Sequence, residues 1–236
     1  MTATAAHAVP VVDQSNILLK TLSDTVTSAV LLGTFNEGTE FEQETAITQF
    51  QTFTAGIPGQ LTGVDLQLIA ITDRVGVMNM TLYDGIRDDP ASSAIARISF
   101  STDELPNQFE NGQFFNFDLS NFNIFIDTDD VFSIDLAVEN QAEPGFFGAA
   151  WIIGEQNIDP ETGVPGELRL LSYDRGFARG AQTANGIFEG YTPRVADRSF
   201  RTFVDPDAVI DVPAPGAIGL FGLGFLTLSH MRRRRR

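Results

Sequence analysis

Apolar and polar residues alternate along much of the middle of this 236-residue chain, a pattern typical of β-strands with one buried face. Apolar side chains take every second position in five segments: 64–70, 78–82, 94–100, 115–119 and 132–138. Turn-forming sequences rich in glycine, proline and aspartate separate these segments. Further apolar stretches lie at 147–153, 168–173 and 199–204. The whole pattern predicts roughly ten strands, at the spacing along the chain that is expected of a sandwich.

The sequence therefore predicts an all-β fold, an antiparallel β-sandwich of jelly-roll type, with a single hydrophobic helix at the C-terminus. No segment of the body keeps a helical period. Alternation assigns the following large side chains to buried positions: Phe50, Phe53, Leu66, Leu68, Phe117, Phe132, Ile134 and Leu136.

The charge balance narrows the class of partner. The chain has 31 acidic and 15 basic residues, and its formal net charge is −16. Five of the basic residues are C-terminal arginines, so the remainder carries a charge of −21. Nucleic acid, a polyanion, is excluded as a partner for so acidic a body.

The scarcity of reactive side chains limits the chemistry. The chain has no cysteine, which excludes a disulfide framework and thiolate catalysis. Its two histidines, His7 and His230, lie near the ends, so the body has no imidazole for a catalytic triad or a zinc site. We expect no enzyme activity and no cofactor. The alternative is an exported carbohydrate-active enzyme that uses an Asp/Glu pair.

The C-terminal segment has three parts in a fixed order. Pro213 and Pro215 separate the body from an apolar stretch. This stretch, residues 216–229, contains no charge, and a helix of that length spans about 21 Å, which is shorter than a hydrocarbon core of about 30 Å. The arginines after it would stay on the cytoplasmic side of the inner membrane and leave the body outside.

This order resembles the PEP-CTERM sorting signal, which an exosortase-type transpeptidase in the membrane recognises. The residues that carry the resemblance are Val212, Pro213, Ala214, Pro215, Arg232, Arg233, Arg234, Arg235 and Arg236. Ala214 stands where the family motif has glutamate. The resemblance implies a chain that is exported, anchored transiently in the inner membrane, and then released to the cell surface or medium. A permanent membrane anchor and a buried core helix with a basic tail are the alternatives.

The N-terminus agrees with export. Residues 6–8 read Ala-His-Ala, the small-x-small pattern of a signal-peptidase site. We therefore expect 1–8 to be the remnant of a signal peptide, the alternative being an ordinary N-terminus. The expected organisation has a sandwich at 9–205, a linker at 206–215, and a sorting helix with its arginine tail at 216–236.

A second resemblance covers the body. The sequence at 49–56, Gln-Phe-Gln-Thr-Phe-Thr-Ala-Gly, continues as Gly-Gln-Leu-Thr-Gly-Val-Asp-Leu at 59–66. It resembles the opening hairpin of a group of bacterial surface domains with a jelly-roll sandwich. The sequence at 197–204, Asp-Arg-Ser-Phe-Arg-Thr-Phe-Val, is similar to the closing strand of that group. The resemblance implies a domain that is non-catalytic and lies upstream of a sorting signal.

Asp127, Asp129 and Asp130 are weak candidates for a calcium site because hard cations bind oxygen ligands on loops. No EF-hand pattern accompanies them. The sequence favours a tight hairpin turn between 122–126 and 131–138, with no metal.

Candidate ligand contacts are less specific. Tyr173, Trp151, Tyr191 and Arg194 would suit an aromatic platform for sugars, although the apolar neighbours of Trp151 favour the core. The glycine-rich stretch 175–190 is predicted to be a long loop.

Together these observations predict an exported, non-catalytic protein of the cell surface or extracellular matrix. The expected partners are an exosortase, the inner membrane during sorting, and extracellular polysaccharide. The sequence assigns no ligand to the sandwich.

Overall fold

The computed structural model describes residues 9–17, 25–36, 44–70, 75–106, 113–139, 146–158, 165–184, 187–194 and 196–208. The strands in these residues are β1 (Val11–Asn16), β2 (Thr25–Asn36), β3 (Glu44–Thr54), β4 (Gly59–Leu66), β5 (Leu68–Ala70), β6 (Val77–Asp84), β7 (Ser93–Ser101), β8 (Phe115–Asp118), β9 (Ile124–Ile126), β10 (Val131–Val138), β11 (Phe146–Ile158), β12 (Pro165–Leu170), β13 (Ala178–Ala184), β14 (Ile187–Pro193) and β15 (Phe200–Asp205). Two short 3-10 helices, Thr102–Glu104 and Ser120–Phe122, are the helical elements of this part of the chain.

The smaller of two antiparallel sheets has the strand order β1-β15-β4-β8. Its central strand β4 pairs with β15 along one edge. The other edge of β4 pairs with β9 through its first half and with β8 through its second half.

The larger sheet has the order β12-β11-β2-β3-β10-β6-β7 and branches at β3. One edge of β3 pairs with β13, which forms a hairpin with β14. The opposite edge pairs with β2 near the start of β3 and with β10 near its end. The short strand β5 pairs with β11.

The two sheets pack through their apolar faces, which confirms the predicted all-β sandwich. Phe53 and Phe132 of the large sheet stack at 5.5 Å between ring centroids, and Phe53 lies 6.0 Å from Phe200 of the small sheet. All eight side chains assigned to buried positions are at most 3% exposed. Burying each one stabilises the fold by about 1.5–3 kcal/mol.

Phe50 is buried for a different reason from the other seven. In the register of β3 it pairs with Asp135, whereas Phe53 pairs with Phe132, and neighbouring positions of opposite parity face opposite sides of a sheet. Phe50 therefore lies on the outer face of the large sheet, where Phe177 and Tyr191 cover it.

Two predictions about connecting segments are wrong. The stretch 175–190, predicted as a long loop, contains β13 and the start of β14. Its small residues have low strand propensity, and pairing with β3 stabilises the strand instead. The turn at 127–130 does not close a hairpin either, because β9 pairs with β4 in the small sheet and β10 belongs to the large one.

The interior also contains a polar network centred on Arg198, which is fully buried. The Arg198 side chain donates to Oε1 of Gln49 at 2.6 Å and to the carbonyl oxygen of Ala196 at 2.6 Å. Its backbone N–H donates to Oε1 of Gln51 at 2.7 Å. Burial, with a smaller contribution from Arg194, lowers the pKa of Arg198 to about 10.

Asp197 and Ser199 extend this network on either side of Arg198. Asp197 accepts a hydrogen bond from the Gln51 amide at 3.2 Å and another from the Tyr173 N–H at 2.8 Å. The Ser199 carbonyl accepts from the Trp151 indole at 2.8 Å. The two motifs that carry the resemblance to surface jelly rolls, at 49–56 and 197–204, thus meet in the interior.

The segment 1–8 and the helix and tail at 216–236 lie outside the described residues, as do positions 209–215 of the linker. Within the part of the chain that the structure describes, no helix is long and apolar enough to cross a membrane.

Replacing Arg198 with alanine is expected to lower the free energy of unfolding by about 3 kcal/mol. The substitution leaves a cavity and removes the side-chain donor of the buried Gln49 oxygen. Urea unfolding of the full chain measures the loss. Arg97→Ala, at an exposed position of β7, is the control and should stay within about 0.5 kcal/mol of the parent. Equal stability of both variants would show that the Arg198 network does not hold the sheets.

Candidate functional site

A cluster of aromatic and charged side chains lies on the outer face of the large sheet. In β10, Ile134 and Leu136 point into the core, and Asp135 between them points outward. The register places Asp135 opposite Phe50 of β3 and Thr81 of β6. We call Thr48, Tyr83, Arg87, Asp135 and Tyr191 the outer-face site.

Arg87 reaches Asp135 from the turn between β6 and β7. Its Nε donates to Oδ2 of Asp135 at 3.4 Å. The Arg87 backbone N–H donates to Oγ of Ser133 at 2.9 Å, and that hydroxyl donates to the Gly85 carbonyl at 2.7 Å. Gly85 has a φ of +85°, which favours glycine over any residue with a side chain. The turn is thereby fixed on β10 and presents the guanidinium to the carboxylate.

The carboxylate of Asp135 is nearly inaccessible, with its side chain 6% exposed. The Thr48 hydroxyl donates to its Oδ1 at 3.2 Å, and Tyr191 interacts with the same carboxylate. Burial raises the pKa of Asp135 to about 6, although the positive charge of Arg87 and the hydrogen bonds to the carboxylate act in the opposite direction. Burial, and then the charge of Asp135, raises the pKa of Tyr191 to about 12.

Aromatic rings surround the guanidinium of Arg87. Its central carbon lies 4.3 Å from the ring centroid of Tyr83 and 5.6 Å from that of Tyr191, which are cation–π distances. Tyr191 in turn contacts Phe188 edge-on at 5.4 Å. Phe188 is 53% exposed, so the cluster presents an apolar ring to solvent at its edge.

A second arginine–carboxylate pair lies beside the outer-face site. Arg179 of β13 forms an ion pair with Asp88, and its guanidinium lies 4.9 Å from the Phe177 centroid. Phe177 packs on Phe50, the residue that also contacts Tyr191. The surface therefore combines partly exposed rings with two guanidinium groups, each paired with an aspartate. Such a surface can stack on a flat apolar ligand and exchange hydrogen bonds with hydroxyl groups.

The candidate calcium ligands occupy the turn between β9 and β10. Asp130 accepts a hydrogen bond from the Asp127 N–H at 2.7 Å, and Asp129 accepts one from Arg175 at 2.9 Å. Asp129 has a φ of +74°, which aspartate tolerates better than most residues. In the described residues no group of three acidic or histidine side chains is placed to hold a metal ion.

The residues predicted as an aromatic platform are not brought together. Trp151 is fully buried, as its apolar neighbours predicted. Tyr173 is 8% exposed and donates its hydroxyl hydrogen to Gln14 at 2.8 Å. Arg194 is exposed after β14, and Tyr191 is the member of that set that belongs to the outer-face site.

A cleft of about 420 Å³ opens at one end of the sandwich. Its lining includes the carboxylates of Asp84 and Asp130 and the rings of Phe122 and Phe125. Asp84 and Asp130 therefore share one open space.

Sequence reasoning missed Thr48, Tyr83, Arg87 and Asp135. Asp135 looks like any outward residue of an alternating strand, and Arg87 lies in a turn. Only the pairing of β6 with β10 brings Arg87 close to Asp135.

Among known proteins, the chain matches no family model, no curated protein and no solved structure. The sorting-signal residues Val212–Pro215 and Arg232–Arg236 lie outside the described residues.

The raised pKa of Asp135 predicts how stability depends on pH. The folded pKa of about 6 lies above the ordinary value of 3.8, so the folded state takes up a proton before the unfolded state does. The parent should therefore gain stability relative to Asp135→Asn as the pH falls from about 6 to about 4, by about 2–3 kcal/mol. Urea unfolding of the full chain at pH 4 to 7 measures this difference.

Asp118→Asn is the matched control with the opposite sign. Hydrogen bonds from the side chain and the backbone N–H of Ser120 lower the pKa of Asp118. The parent should therefore lose stability relative to this variant as the pH falls through the folded pKa. A parent that loses stability relative to Asp135→Asn on acidification would contradict the raised pKa.

Proposed function

We propose that this chain is an exported, non-catalytic protein of the cell surface or extracellular polysaccharide matrix, sorted through its C-terminal segment. The observation that carries the proposal is the order of Val212-Pro-Ala-Pro, an uncharged segment and five arginines at the end of the sequence. Each part has a physical role: the prolines end the body, the apolar segment inserts, and the arginines fix the topology.

The uses of the carboxylates support a non-catalytic body. Oδ1 of Asp13 accepts hydrogen bonds from the N–H groups of Gly56 and Ile57 at 2.9 and 2.7 Å and so holds the turn between β3 and β4. Asp89 and Asp118 each accept from a backbone N–H two residues later at 2.9 Å. Asp89 and Asp118 thus form local turns, and Asp13 holds a distant turn, so these three carboxylates serve the fold.

The interior contacts support kinship with surface jelly rolls. The two motifs of the resemblance contribute Gln51 and Arg198 to one buried network. Gln51 accepts from the backbone N–H of Arg198, and the Arg198 side chain donates to Gln49 of the same motif, so the two motifs are joined in the core. The finer assignment of the sandwich as a jelly roll is part of this proposal.

A carbohydrate-active enzyme is the second candidate. Asp135 has a pKa raised toward neutrality, as a general acid requires, and Asp84 and Asp130 share a cleft. Against this, Asp135 is nearly inaccessible, and one oxygen of Asp130 is occupied by the Asp127 N–H. Release of reducing ends from a polysaccharide by the full chain, lost in Asp84→Asn, would favour the enzyme.

The sorting proposal predicts a processed C-terminus. Intact mass measurement on protein from the surface of the native host should find a chain that ends near Pro215 and lacks Arg232–Arg236. Replacing both Pro213 and Pro215 with alanine should leave a full-length precursor in the membrane fraction, because the helix is then no longer separated from the cleavage site. Deleting the five arginines should reduce sorting, because the positive charge that fixes topology is lost.

Pro10→Ala, in the N-terminal segment before β1, is the matched control and should be processed like the parent. Surface-exposed protein that retains all five arginines would contradict cleavage and leave a permanent anchor.

A further inference from the structure

We propose that the outer-face site, together with Phe188, binds an uncharged polysaccharide. This inference deepens the proposed function, on which it rests, by naming the ligand class and the surface through which the body would associate with the matrix. It depends on three features of the surface: its rings, its fixed guanidinium, and its charge balance.

The rings supply the apolar part of the contact. Phe188 is 53% exposed, and Tyr83 and Tyr191 are half-buried. Each sugar ring has a face of C–H groups that packs on an aromatic ring, while its hydroxyl groups point outward. Tyrosine suits this contact because it joins an apolar body to a polar hydroxyl.

The guanidinium of Arg87 supplies donors that are already oriented. Its Nε donates to Asp135, and its central carbon lies within cation–π distance of the rings of Tyr83 and Tyr191. The side chain is nonetheless 32% exposed, so part of it is open to solvent. A donor held in one orientation loses little conformational freedom when a sugar hydroxyl binds.

The charge balance selects an uncharged ligand. Arg87 is paired with Asp135, and Arg179 with Asp88, so these two pairs carry no net charge. Arg97 of β7 is exposed near Tyr83 and adds one positive charge beside the site. The rest of the body is strongly acidic and repels polyanions at long range. A polyuronate or a sulfated polymer would meet this long-range repulsion, which one arginine does not offset, whereas a neutral glycan would meet none.

Affinity electrophoresis of the full chain tests this in native gels that contain a mild non-ionic detergent. The uncharged polymers are dextran, pullulan, hydroxyethyl cellulose, galactomannan and arabinoxylan, and alginate serves as the anionic polymer. At least one uncharged polymer should retard the parent, and alginate should not. Phe188→Ala should weaken the retardation at least about tenfold, a loss of about 1.4 kcal/mol.

Arg87→Lys keeps the charge but loses the planar donor group, and it should weaken binding as well. The matched control is Phe203→Ala, which removes a partly exposed ring of β15 in the small sheet; it should leave retardation unchanged. Thermal unfolding of each variant confirms that the fold persists, which is expected for Phe188→Ala because that side chain is mostly in solvent.

Three results would overturn the inference: no retardation by any uncharged polymer, retardation by alginate alone, or equal retardation of the parent and Phe188→Ala. The last result would place binding on another surface. Because the assay uses purified protein, its failure leaves C-terminal processing untouched. Conversely, a full-length C-terminus on the host surface would refute the sorting proposal without affecting this site.

Discussion

The buried guanidinium of Arg198 is the constraint on which the arrangement of the two sheets depends. A fully buried arginine must find acceptors inside the protein, and the described partners are oxygens of Gln49 and Ala196. Gln49 belongs to β3 of the large sheet, and Arg198 closely precedes β15 of the small sheet. The hydrogen bonds therefore fix where the chain crosses from one sheet to the other.

The same constraint determines what appears on the outer face. With Gln49 and Gln51 turned inward to Arg198, alternation turns Thr48 and Phe50 outward. Thr48 then reaches Asp135, and Phe50 supports Tyr191. A slip of one residue in β3 would exchange the two faces and lose the interior network and the outer-face site together. The site is thus a consequence of the register that Arg198 maintains.

The sequence predicted the parts of the fold in which large apolar side chains alternate. Phe132, Ile134 and Leu136 mark β10 because burial of one face leaves a period of two. The sequence did not predict β13, because its residues Ala178, Gly180 and Ala181 show no alternation of large apolar side chains. That strand forms because β3 offers an open edge with which it pairs. The outer-face site was missed for a related reason, since the pKa of Asp135 is raised by burial in the folded chain, which no local sequence pattern reveals.

The acidic composition serves different purposes at different places in the molecule. At turns, Asp13, Asp89 and Asp118 satisfy backbone N–H groups, which holds the loops without any disulfide. On the outer face, Asp135 and Asp88 cancel the charges of Arg87 and Arg179 and leave those groups as hydrogen-bond donors without net charge of their own. The surrounding negative potential then repels polyanions before they reach the rings. Selectivity for an uncharged ligand would thus come from the whole acidic body, and binding from a few oriented side chains.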